Sequence, residues 1–326
     1  MSATGRSGTV DANGRFDHRA AVYASAAEMF EVVSPFILEG IDRRERVVLV
    51  MSDRQIGRTR ATLGAALDGA EAISAEDLYA HPAQMYADYC AMLDAHTRST
   101  TQPLRIIAEP TIVGRNAQQI AELRRMEAAC NTTFAFANAR VLCLYDAVAT
   151  PRKALDGVPV THRTVLTDGS AVASANYVEP SRYLLDERRT TRLPVPPARA
   201  VRLDPVESGG QAGRFAAMHA GRLDVRGRAL DGLALAVAEV ATNALINAIG
   251  VRLDVWREAD RVVCQVSDAG YGLTDGLSGY RPPYRDRQGS GRLWTARLLC
   301  DTLEIATGDL GTTVRMTSPC HGIDLP

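Results

Sequence analysis

With 326 residues the chain is long enough for two domains, at about 150 residues each. Hydrophobic residues make up 46%, charged residues 23%, and the formal net charge is −1. That balance gives no reason to expect a nucleic-acid surface or attachment to an acidic membrane. The cysteines Cys90, Cys130, Cys143, Cys264, Cys300 and Cys320 form no CxxC pair, so they read as reduced thiols.

Residues 1–16 are small, polar and glycine-rich, so a disordered tail without the apolar core of a signal peptide is expected. No run of 18 apolar residues occurs, because Glu239 interrupts the longest candidate; a cytoplasmic protein that spans no membrane is expected. From His18 on, helical and strand-like segments alternate. Residues 25–42 are expected as a helix broken at Pro35, and residues 46–51 (RVVLVM) as a strand buried on both faces. Helices over 56–67 and 82–96 precede a second such strand at 104–109 (LRIIAE). An amphipathic helix at 117–131 leads to a third strand at 141–145 (VLCLY). Strands separated by helices predict an α/β domain with a mainly parallel sheet. No GxxxxGK[ST] occurs, so this half is not a P-loop nucleotide binder. Glu109 and Asp146 follow apolar strands, at carboxyl ends where such sheets place ligands. A Cys in a buried strand such as Cys143 is commonly a small hydrophobe, and lone histidines such as His18 and His162 are commonly satisfied hydrogen-bonding groups.

Residues 185–200 carry mixed charges and Pro194, Pro196 and Pro197, which predicts an extended, semi-stiff linker between a domain at 17–184 and one at 201–326. The second domain opens with a strand at 201–203 and a helix near 211–221. Residues 233–249 (LALAVAEVATNALINAI) read as a helix whose polar residues are Glu239, Thr242, Asn243 and Asn247. Glu239, Asn243 and Asn247 fall at i, i+4 and i+8 on one face. Such a stripe on a buried helix is costly unless it faces a wet or ligand-filled cavity, or its groups pair among themselves. Two strands, 251–256 and 261–267, form a hairpin that runs into Asp268-Ala269-Gly270-Tyr271-Gly272. An Asp-x-Gly-x-Gly leaving a strand fixes a carboxylate and follows it with backbone able to approach a ligand closely. Residues 273–289 (LTDGLSGYRPPYRDRQG) are aperiodic and suggest a mobile lid, its Arg281, Arg285 and Arg287 either near a phosphate or merely solvated. Strands at 303–307 and 312–317 close the chain as a hairpin.

The ExxxNA helix, the strand pair, the DxGxG and a Gly-rich segment before another helix together resemble the GHKL-type ATP-binding domains. Within them, EVATNALIN, DAGYGL, LWTARLLCD and GTTVRM are most similar to anti-sigma-factor serine kinases. The resemblance implies an α/β sandwich of the Bergerat type that binds ATP and Mg²⁺. It places Asn243 on the magnesium, Glu239 as the general base, and Asp268 on the adenine amino group. Gly270, Gly272, Gly289, Gly291 and Thr312 would line the rest of the nucleotide site. Two positions depart from the pattern: Asn247 stands where the family often has His, and Arg292 follows Gly289-Ser290-Gly291 where the chain would approach phosphates. Backbone N–H groups at a helix start bind phosphate only on close approach, which Arg hinders.

In the first half, His18 with Tyr23, Ser34-Pro35-Phe36 with Gly40, Glu109-Pro110, Glu127 with Asn131, Cys143-Leu144-Tyr145-Asp146 and Thr161-His162 resemble the MEDS sensory domain. That resemblance implies a RecA-like α/β fold sensing a small molecule, with His18, Tyr23, Glu109, Cys143, Asp146 and His162 as candidate ligand-binding residues.

The function expected from these features is a signal-regulated protein serine/threonine kinase. It would control a sigma factor directly or through a STAS-type antagonist protein, with no direct nucleic-acid contact and with homodimerisation left open. The alternative is a non-catalytic ATP-dependent binding switch whose irregular glycine segment has lost the chemistry.

Overall fold

The computed structural model describes residues 16–167, 170–285 and 291–320. The expected tail up to residue 15, together with Arg287 and Gly289, lies outside the described residues. By packing, the chain forms two units: residues up to Tyr79 with Ala91–Val113 and Cys130–Tyr177, and Ala80–Cys90 with Gly114–Ala129 and the chain from Val178 onward.

The first unit begins with β1 (Phe16–Tyr23), α1 (Ala26–Asp42), β2 (Arg46–Met51), α2 (Asp53–Leu63), β3 (Glu71–Ser74) and α3 (Ala75–Leu78). Helix α4 (Pro82–Ser99), which belongs to the second unit up to Cys90, strand β4 (Leu104–Ala108), helix α5 (Ala117–Thr133), which belongs to the second unit up to Ala129, and strand β5 (Ala139–Asp146) follow. Short helices α6 (Arg152–Leu155) and α7 (Val158–Thr161) precede β6 (Thr164–Thr167) and β7 (Ser170–Ala173). The sheet order is β3-β2-β4-β5-β1-β6-β7, parallel except for the β6–β7 pair. Strand β4 is buried along its whole length, as expected where helices cover both faces of a parallel sheet.

Helix α1 starts in a capping box, with Ser25 Oγ accepting from Glu28 N and Glu28 Oε2 accepting from Ala24 N. The break expected at Pro35 does not occur, for α1 runs unbroken through it. Burial of Val33, Phe36 and Ile37 offsets the roughly 3 kcal/mol that an interior proline costs. Phe36 and Gly40 receive Arg105, which is fully buried on β4. Its Nε donates to Glu45 Oε2 at 2.5 Å and its Nη1 to the Phe36 carbonyl at 2.7 Å, and a Cβ on Gly40 would stand 2.5 Å from Arg105 Cδ.

The second unit contains α8 (Pro180–Thr190), β8 (Val201–Leu203), α9 (Gly209–Arg222) and α10 (Gly227–Asn247). It continues with β9 (Arg252–Glu258), β10 (Arg261–Ser267), α11 (Gly291–Leu299), β11 (Thr302–Gly308) and β12 (Gly311–Pro319). The five-stranded sheet has the order β11-β12-β10-β9-β8 and is antiparallel throughout. Its core joins Leu233, Val237 and Val240 of α10 to Leu253, Val262, Val266 and Val314 of the sheet. By length and composition alone α10 could cross a membrane, but its apolar face is the middle of this core.

Three expectations need correction here. Helix α10 begins six residues before the expected start and ends two before the expected end, because its first turns carry no apolar signal and Ala248 is extended. Residues 185–190 are helical rather than linker, since the Glu179 carboxylate caps the N–H of Ser181 and Pro180 occupies the first turn of α8. The expected lid is anchored at its centre: Leu277, Ser278 and Tyr280 are buried, with Arg297 4.2 Å from the Tyr280 ring centroid and Arg188 donating to the Ser278 carbonyl at 2.6 Å. Arg281 is paired with Asp275.

Candidate functional site

In the second unit, strand β10 delivers Asp268 to a cleft between α10 and the sheet. Asp268 Oδ1 accepts hydrogen bonds from Gly270 N at 2.9 Å and Thr312 N at 3.1 Å. Thr312 in turn meets Thr307 Oγ1 at 3.0 Å, and Thr307 accepts from Leu273 N at 2.7 Å. The carboxylate is therefore fixed by one oxygen, and among the described residues Oδ2 accepts no hydrogen bond. Gly272 has φ +74°, and a Cβ there would lie 2.4 Å from the Gly308 carbonyl oxygen, so conformation and space both demand glycine.

The cleft, about 440 Å³ with its open mouth, is lined by Asn243, Asn247, Asp268, Gly270, Gly272 and Thr312 beside Val240, Ala244, Val266, Leu293 and Val314. Apolar walls with a few convergent polar groups suit a planar heterocycle with an amino edge. Asn243 reaches the same cleft, and its carboxamide makes no hydrogen bond among the described residues, leaving its oxygen available to a hard cation. Asn247 donates from Nδ2 to the Asn243 carbonyl at 2.7 Å. Thr242 bonds back to the Ala238 carbonyl and takes no part. The residues thus fit ATP with Mg²⁺ at the base and cation ends.

The remaining expected residues lie differently. Glu239 Oε2 accepts from Arg292 Nη1 at 2.8 Å, with the two side chains 24% and 40% exposed. Gly291 is the first residue of α11, and a Cβ there would meet Pro283 Cβ at 3.0 Å. It makes room for Pro283 and does not line the cleft. The Glu239–Arg292 pair is not readable from local sequence, although the departure at Arg292 is its signal.

In the first unit the candidate sensory residues fall into two groups. His18 and Tyr23 are five residues apart on β1, hence on opposite faces and about 16 Å apart along the strand. Tyr23 donates to Glu109 Oε1 at 3.4 Å, and Glu109 Oε2 accepts from Ser52 N at 2.8 Å and Ser52 Oγ at 2.9 Å. Burial, then the charges of Glu109 and Asp146, push the Tyr23 phenol up from its usual pKa. Asp146 Oδ1 accepts from Val148 N and Ala149 N, an Asx-type turn that orders the loop after β5.

On the other face, His18, Cys143 and His162 come together and all are buried. His18 Nε2 is 3.3 Å from Cys143 Sγ, and Cys130 Sγ is 3.6 Å from His18 Nδ1. The two imidazole centroids are 4.2 Å apart. Burial alone would lower the His18 pKa, but the two sulfurs outweigh it and hold it well above the usual value. Asn131, one of the residues that carry the MEDS resemblance, holds this group from α5, with Oδ1 3.3 Å from His18 Nδ1.

Comparison with known families agrees with this division. Residues 17–163 match the MEDS model, described as MEthanogen/methylotroph, DcmR Sensory domain. Residues 204–318 match the model of the histidine kinase-like ATPase domain. No curated protein matches the chain.

Proposed function

We propose that this chain, which carries a MEDS domain and a histidine kinase-like ATPase domain, is a signal-regulated serine/threonine kinase of the anti-sigma-factor type. The observation that carries the nucleotide half is the convergence of Asn243, Asp268, Gly270, Gly272 and Thr312 on one cleft. ATP with Mg²⁺ would supply the transferable phosphoryl group and the neutralisation of its charge. Asp268, its Oδ1 held by two N–H donors, would accept a hydrogen bond from the adenine amino group through Oδ2. Asn243 offers a neutral oxygen to the cation. Glu239, one turn earlier on α10, takes the proton from the acceptor serine once Arg292 has released it. The target would be a sigma factor bound directly, or a STAS-type antagonist phosphorylated on serine. The MEDS domain takes a small-molecule signal at the His18–Cys143–His162 group, at the Tyr23–Glu109–Asp146 group, or at both. A cytoplasmic location suits such partners.

The Glu239–Arg292 pair favours a second reading. With Glu239 engaged by Arg292, the domain can also act as a binding switch that takes ATP and transfers nothing. Radiolabelled ATP, Mg²⁺ and candidate antagonist proteins distinguish the two. The kinase reading expects serine labelling with the wild type and a loss of about 10²–10⁴ in rate with Glu239→Gln. ATP binding without labelling of any antagonist leaves the switch.

A further inference from the structure

We infer that His18, Cys143 and His162 form a binding site for a thiophilic divalent cation, with Zn²⁺ the first candidate. The inference deepens the sensory reading of the MEDS domain by naming a ligand class for one of its two groups, and it does not depend on the kinase reading.

The three donors come from β1, from β5 and from the residue after α7, so they are far apart in sequence and are converged by the sheet. One ligand atom from each lies within 4.8 Å of the others. Tetrahedral zinc, with bonds of about 2.0–2.1 Å to nitrogen and 2.3 Å to sulfur, sets neighbouring ligand atoms about 3.5 Å apart. The pair His18 Nε2 and Cys143 Sγ, at 3.3 Å, is already near that edge, and the wider pairs would draw in by about 1 Å.

Both imidazoles are also oriented for a cation. His162 Nδ1 is 2.9 Å from the Val158 carbonyl, which can only accept, so Nδ1 carries the proton and Nε2 the lone pair. Asn131 Nδ2 donates to the Thr161 carbonyl at 2.8 Å, and that contact fixes the amide. Asn131 Oδ1 therefore faces His18 Nδ1 at 3.3 Å as an acceptor, so the proton that a cation displaces from His18 is the one on Nε2, towards Cys143. Two imidazoles held by outer carbonyl acceptors, with a thiol between them, are the pattern that second-shell groups impose on metal-binding histidines. Binding releases the protons of His18 Nε2 and Cys143 to solvent and leaves a thiolate on the cation, with no change of oxidation state. Two imidazoles and a thiolate select zinc-like ions over Mg²⁺ or Ca²⁺. A water or a signal molecule can take the fourth position.

The test uses the full-length protein after chelator treatment, titrated with Co²⁺ as a spectroscopic probe and then with Zn²⁺. The expected result is one equivalent of Co²⁺ giving a sulfur-to-cobalt charge-transfer band that Zn²⁺ displaces. Cys143→Ser removes the band, and His162→Gln weakens binding. Asn131→Ala, which touches no cation, weakens it by about 10–100-fold. Cys264→Ser, in the other unit, leaves everything unchanged. If Cys143→Ser does not fold, protection of Cys143 in the wild type from alkylation by Zn²⁺ takes its place. No charge-transfer band in the wild type, or a band that survives both Cys143→Ser and His162→Gln, overturns the inference. ATP binding, measured in the same samples, reports on the nucleotide cleft separately.

Discussion

Arg292 Nη1 stands 2.8 Å from Glu239 Oε2, so the carboxylate proposed as general base is paired with a guanidinium on α11. Such a half-exposed pair contributes about 0.2–1 kcal/mol. Arg292→Gln should therefore raise the rate of phosphate transfer by up to about five-fold at unchanged ATP affinity. Single-turnover kinetics beside calorimetry checks this. A parallel fall in rate and affinity would instead assign Arg292 to the phosphates.

Asp268 should govern nucleotide affinity. Asp268→Asn keeps the shape but replaces an oxygen acceptor with an amide that can also donate. ATP binding should weaken by about 1.5–3 kcal/mol, the usual scale for a hydrogen bond to a charged group. Wild-type affinity for the variant in calorimetry would remove Asp268 from the adenine site.

Asn243 should act only through the cation. Asn243→Ala is expected to weaken binding of ATP with Mg²⁺ while leaving Mg²⁺-free nucleotide binding nearly unchanged. Titrations with and without chelator read the difference, and an equal loss in both would mean that Asn243 supports the fold or the base instead.

Acid should loosen the second unit through Glu122. Burial pushes its carboxyl up, but Arg297 and Arg125 prevail and hold its pKa below the ordinary value. A depressed carboxylate contributes stability that is present above the unfolded pKa of about 4.3 and is lost as pH falls through the folded value. Denaturant unfolding should show that decline below about pH 4, with the slope reduced in Glu122→Gln. At neutral pH the variant should be about 3–5 kcal/mol less stable, because the buried Arg297 loses its partner. Identical pH slopes in the two proteins would exclude Glu122 as the source.

The strands β2, β4, β5, β10, β11 and β12 were legible in the sequence because continuous apolar runs or turn residues mark them. Strand β1 (FDHRAAVY) carries His18 and Arg19 among mostly small residues, β6 is short and half exposed, and β7 is short and exposed throughout, so no periodicity announces them. Asn243 and Asn247 of the helix stripe, and the Asp-x-Gly-x-Gly, point to the cleft they line, since spacing on one helix and a turn after one strand are local facts; Glu239 is not among the residues lining it. Glu239 meeting Arg292 across 53 residues and Phe36 meeting Arg105 are not local. The proline-rich look of 185–200 concealed the last turns of α8, because the capping residue Glu179 stands outside that window.

Glu122 lies in the stretch matched by the MEDS model, yet its ion pair with Arg297, and the Tyr86 ring 5.7 Å from Trp294, belong to the unit that holds the nucleotide cleft. A chimera that moves residues 201–326 onto another sensor would carry a buried guanidinium without its counter-ion and an indole without its cover. The same holds for gene rearrangement. The exchangeable piece of this protein is discontinuous, and a recombination point placed in the proline-rich stretch divides a packed core.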